Sequence, residues 1–73
     1  MNIHVLPRED GWAVVEEGSP YDAANTDTRE SAIRVGRQLA KIRHSILVIH
    51  DDNGSVREKL SFSLAGLPRK VSV

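Results

Sequence analysis

Polar and apolar positions alternate from Asn2 to Pro7, with Ile3 and Val5 on one side and His4 and Leu6 on the other. A period of two in branched residues predicts a strand. Arg8-Glu9-Asp10-Gly11 follows, and Asp-Gly tolerates the positive φ of a tight hairpin turn. The pattern returns as a second strand over Trp12 to Glu16, ended by Glu17-Gly18-Ser19-Pro20, since proline cannot donate to a sheet ladder. Tyr21 to Asp27 is a polar connection with a short extended piece at Tyr21 to Ala23. From about Thr28 the period changes to that of a helix. Ala32, Val35, Gly36, Leu39, Ala40 and Ile42 make one apolar stripe, and Glu30, Arg34, Arg37, Gln38 and Lys41 lie opposite. Thr26, Asp27 and Thr28 all suit an N-cap. With Asp27 as cap, Glu30 completes a capping box; with Thr28 as cap, Ser31 takes that place. Lys41, Arg43 and His44 suit the C-terminal end of the helix dipole.

Ser45 to His50 predicts a third strand, apolar on both faces. Asp51-Asp52-Asn53-Gly54 is a second hairpin turn. Ser55 to Phe62 predicts a half-exposed fourth strand at a sheet edge, with Val56, Leu60 and Phe62 on one face and Arg57, Lys59 and Ser61 on the other. The expected fold is α+β: a two-layer ββαββ unit with a four-stranded, mostly antiparallel sheet and one helix packed on one face. Residues 1–62 form the domain. Residues 63–73 form a C-terminal tail, loosely held or adding a short strand at Val71 and Val73.

Seventy-three residues make one domain with a marginal core. The chain has no cysteine, which excludes disulfides and thiolate zinc sites and fits a cytoplasmic protein. No apolar run approaches a membrane span, and Met1 to Arg8 lacks the layout of a secretory signal. The formal net charge is zero, against a general polyanion binder. The charge is nevertheless uneven. Residues 1–28 carry net −5 and residues 29–43 net +4.

Several residues together resemble a known pattern: His4-Val5-Leu6-Pro7, Asp10-Gly11-Trp12-Ala13-Val14, Thr28 to Ile33, Leu39-Ala40, and Leu47 to His50 with Asp52-Asn53-Gly54. The chain resembles, over about Asn2 to Phe62, the small bacterial domain-of-unknown-function family numbered 2188. The histidine-valine-x-proline run followed by aspartate-glycine-tryptophan is its most specific part. The resemblance implies a bacterial or phage origin and a short free-standing protein. It carries over no catalytic residue, and the tail departs from the family's usual ending.

No phosphate-cradling glycine loop, nucleophile elbow or paired-histidine zinc motif is present. The adjacent carboxylates Glu16-Glu17 and Asp51-Asp52 point to opposite sides of a strand or sit in a turn. His4, His44 and His50 are expected to be structural, His4 and His50 as sheet-surface or cross-strand partners. We therefore expect no catalytic residue, cofactor or metal, and no enzyme. Two surfaces remain. Arg34, Arg37 and Lys41 project together from the helix and form a candidate nucleic-acid face; the plainer reading is a solvated face paired with the acidic half. The middle strands are apolar on both sides, so one sheet face needs a cover. The tail or a second subunit would supply it, with Trp12, Val14, Leu47 and Ile49 as candidate interface residues. The expected function is that of a small non-catalytic binding or adaptor protein acting through protein–protein contacts, as a homodimer or with an unknown protein partner. Nucleic-acid binding is the alternative.

Overall fold

The computed structural model describes residues 2–62 and 68–72. Its elements are β1 (Asn2–Arg8), β2 (Gly11–Glu16), β3 (Ala24–Thr26), α1 (Arg29–Arg43), β4 (Ile46–His50), β5 (Val56–Ser61) and β6 (Arg69–Val71). They form one sheet of six strands in the order β3-β2-β1-β4-β5-β6, with α1 on one face. The α+β class and the single helix on a sheet hold; the strand count of four does not. Both additions are three-residue edge strands. β3 lies just beyond the extended piece expected at Tyr21 to Ala23, and β6 belongs to the segment read as tail. β5 is accordingly an inner strand, covered at its outer edge by β6.

All neighbouring strands run antiparallel except the central pair, β1 and β4, which is parallel. A parallel pair needs a crossover, and α1 provides it. Between Ile49 and His50 the ladder to β5 shifts register, so Val56 aligns with His50 while Glu58 aligns with Ile49. The expected grouping of Val56 with Leu60 is thereby broken, because cross-strand partners share a face.

Thr28 is the N-cap: its hydroxyl accepts from the Ser31 backbone N–H at 3.1 Å. At the other end His44 adopts the left-handed conformation, and its N–H and that of Ser45 close on the carbonyls of Lys41 and Ala40. The helix rests on Ala32, Gly36 and Ala40, with Ile33 and Leu39 flanking them. The buried stripe is narrower than the sequence pattern. Val35 is exposed, and Ile42 is 71% exposed. The cause is the close seat of the helix. A Cβ on Gly36 would lie 2.9 Å from Leu47 Cδ1 and 3.1 Å from Val5 Cγ2, so the helix centre nearly touches the sheet.

Ile3, Val5, Val14, Leu47, Ile49, Leu60 and Phe62 fill the core beneath it. Each large side chain fully buried there contributes about 1.5–3 kcal/mol. No described helix is long and apolar enough to cross a membrane. The His4 to Leu6 parity of the sheet faces away from α1. There Leu6 and Ala13, and His4, Val15 and Val48, are register neighbours. The described part of the tail does not cover this face, because Arg69–Val71 extends the sheet sideways.

Candidate functional site

Trp12, Val14, Leu47 and Ile49 have the same parity as Ile3 and Val5. They therefore lie on the helix-covered face. Val14, Leu47 and Ile49 are buried in the core, and Trp12 is half-buried with the Arg29 guanidinium 4.9 Å over its ring. The face that α1 leaves open is built from the other parity: Leu6, Ala13, Val15, Ile46 and Val48, with His4 and His50 among them. Val48 is 2% exposed even though no helix covers it, since its neighbours shield it.

The helix cations divide into two groups. Arg29 pairs with Asp52 at 3.2 Å and Arg43 with Glu16 at 2.8 Å. Arg34, Arg37 and Lys41 are exposed and have no carboxylate partner among the described residues. Arg37 instead lies 5.6 Å over the Phe62 ring. Asp52 of the β4–β5 turn and Glu16 of the acidic N-terminal half thus pair with the two ends of the helix and leave its outer stripe charged.

A further arrangement lies at the middle of the open face. His4 on β1 and His50 on β4 come together, with His4 Nδ1 3.0 Å from His50 Nε2. The ring centroids are 5.2 Å apart and the planes tilted by 34°. The outer nitrogens are also held. His4 Nε2 donates to Glu17 Oε1 at 3.0 Å, and His50 Nδ1 donates to the Gly54 carbonyl at 2.9 Å. His50 is buried, and the His4 side chain is 22% exposed. Sequence reading gives both rings as sheet-surface or cross-strand partners, and the structure makes them partners of each other. They are 46 positions apart, and only the parallel β1–β4 pairing makes them neighbours. His44 stands apart as the helix C-cap. Among the described residues no three histidine, cysteine or carboxylate groups converge as a metal-ligand cluster.

At the β1–β2 turn, a shallow open groove is lined by Arg8, Trp12, Asn25 and Thr26 among others. Beside it Arg8 grips Asp22 with Nη2 at 2.8 Å and Nε at 3.2 Å, and Asn25 donates to the same carboxylate at 2.8 Å. The Arg8 and Asn25 hydrogen bonds, assisted by the Arg8 charge, hold the Asp22 carboxyl down at about 2. The same contact raises the Arg8 guanidinium.

A six-stranded sheet under a single helix, with the four-residue signatures of both hairpins in place, defines a small bacterial α+β domain. The chain belongs to the family described as an uncharacterized protein conserved in bacteria (DUF2188), whose pattern it matches over residues 3–62. The resemblance carried by the His4 to Pro7 and Asp10 to Val14 runs is thereby confirmed. The chain is also similar to the uncharacterized protein YdaT of Bacillus subtilis (strain 168), 32% identical over 57 residues. That match covers 78% of this chain and 38% of the relative, so the chain spans well under half of that protein's length. No solved structure matches it.

Proposed function

We propose that the protein is a small cytoplasmic binding protein that self-associates through the open face of its sheet. The observation that carries this is the face itself: the half-buried Leu6, Val15 and Ile46 surround the buried Ala13 and Val48 on the side away from α1. Contiguous apolar surface of this kind marks interaction sites. Charge on the same sheet argues for a second copy as occupant. Lys59 and Arg69 lie on the β5–β6 wing at open-face parity, without carboxylate partners among the described residues. Glu17, exposed and without an arginine or lysine partner among the described residues, lies in the link beyond β2 on the opposite wing, where Asp22 is already paired with Arg8. A two-fold axis parallel to the strands stacks one copy's basic wing on the other's acidic wing, an isologous, self-complementary contact.

A second reading rests on the unpaired stripe of Arg34, Arg37 and Lys41, which suits phosphate contact. One experiment addresses both. Light scattering from low micromolar concentration upward, with and without duplex and single-stranded nucleic acid, is run at about 50 and 200 mM salt. The expected result is twice the chain mass without nucleic acid, reduced to one chain by Leu6→Glu with Ile46→Glu while the circular dichroism is kept. A single-chain mass at every concentration overturns self-association. Salt-sensitive binding of nucleic acid, lost when Arg34, Arg37 and Lys41 become glutamate, would put the helix face first.

A further inference from the structure

Counting protons on the two central imidazoles leads beyond a structural hydrogen bond. The Glu17 carboxylate and the Gly54 carbonyl both accept, so the outer nitrogens, His4 Nε2 and His50 Nδ1, both carry hydrogen. Each ring in its neutral form then has one lone pair left, on His4 Nδ1 and on His50 Nε2. These two lone pairs face each other across 3.0 Å. Two facing lone pairs repel, and a metal ion between them would accept both; the outer contacts are those of metal-bound histidines, which donate the second ring N–H to a carboxylate or a backbone carbonyl.

We propose that His4 and His50 form a metal-binding site for a late first-row transition-metal ion of the Zn2+ class, at the centre of the open sheet face. Neutral imidazole suits such ions. Two nitrogens at Zn–N distances of about 2.0–2.1 Å in tetrahedral geometry lie about 3.3 Å apart. The rings need to part by only a few tenths of an ångström from their present 3.0 Å. Glu17 binds the far side of the His4 ring, so it is an outer partner that orients the ligand and offsets charge. This is why no cluster of three direct ligands forms. The remaining coordination positions belong to water on the solvent side. Val15 and Val48 flank His4 in register, and Val56 flanks His50; this apolar surround strengthens the charge interaction. The other charged groups on or beside this face are Lys59, the Arg57–Asp51 pair and the Arg8–Asp22 pair. Both ligands come from one chain, so the ion binds the single chain, before a second copy covers the open face.

The test is calorimetric titration of the purified chain with Zn2+ at neutral pH, with 15N spectra of the imidazoles. One ion per chain is expected. Both His4 and His50 nitrogens should move in the spectra while those of His44 stay. His4→Gln and His50→Gln should each weaken binding tenfold or more, and Glu17→Gln by about tenfold. His44→Gln should leave it unchanged. Melting curves without metal verify that each variant folds; if His50→Gln does not, His4→Gln and the spectra decide. Unsaturable binding, affinity retained in His4→Gln, or imidazole spectra unmoved by Zn2+ would overturn the proposal.

Discussion

At the scale of single residues, the Asp22 contact has a definite pH signature. Its carboxyl sits at about 2 in the folded chain against 3.8 for an ordinary aspartate. A depressed folded value means that the ionised form is favoured by folding. The contribution is therefore complete above the unfolded value and is lost as pH falls through the folded one. Asp22→Asn is expected to flatten the acid limb of stability between about pH 4 and pH 2 by lowering stability above that range, and only slightly, because the pair is exposed. Denaturant midpoints measured across that range would reveal it; an unchanged acid limb would show that Arg8 and Asn25 do not hold the carboxylate in solution. Gly11 is a second residue with a local cause. Its φ of 150° lies where side chains are rarely tolerated, and a Cβ there would run into the Thr26 carbonyl of β3. The Asp-Gly signal in the sequence announces the turn, but the approach of a third strand to that glycine has no local sign.

At the scale of elements, the helix is governed by Gly36. Alanine there gains about 1 kcal/mol of helix propensity. Its methyl group, however, would meet Leu47 Cδ1 at 2.9 Å and Val5 Cγ2 at 3.1 Å, and overpacking of a core costs about 1–3 kcal/mol. Gly36→Ala should lower stability by about 1 kcal/mol net, read from thermal or denaturant unfolding. A more stable variant would show that α1 can lift from the sheet without cost. The same element explains what was legible in advance. The helix ends and both glycine turns are written in local chemistry: Thr28 offers its hydroxyl, Lys41 and Arg43 suit the last turn, and Gly54 takes positive φ. The face assignment is not local. Alternation along β1, β2 and β4 states that there are two parities, and only the position of α1 decides which is core. That is why Val14, Leu47 and Ile49 are interior while Leu6, Val15 and Val48 form the free face. β3 escaped because Ala-Asn-Thr has little strand character and owes its conformation to pairing with β2. The pairing of the two histidines with each other has no local sign, because they meet only through the crossover.

At the scale of the whole molecule, the principal core among the described residues lies between Ile3 and Phe62. β6 touches only its neighbour β5 and contributes the half-buried Val71. A chain ending at Phe62 is therefore expected to keep a cooperative melt and lose about 1–2 kcal/mol, for one partly buried side chain and a few ladder hydrogen bonds. Loss of the cooperative transition would make the last strand integral to the fold. The two halves of the sheet, β1 to β3 and β4 to β6, are each contiguous in sequence; within the sheet the parallel seam between β1 and β4 unites them, and α1 packs across both.

That seam has a consequence during synthesis. The strand made first occupies the interior of the sheet, and its inner neighbour is made last but two. Register joins Asn2 to Ile46 and Val5 to Ile49, so β1 waits for more than half the chain before its second edge is sealed. At translation rates of about 5–20 residues per second, the nascent hairpin of β1 and β2 stands with an unpaired apolar edge for about 2–9 seconds. For that interval the ribosome-bound chain displays Ile3 and Val5 to any passing chaperone or sister chain.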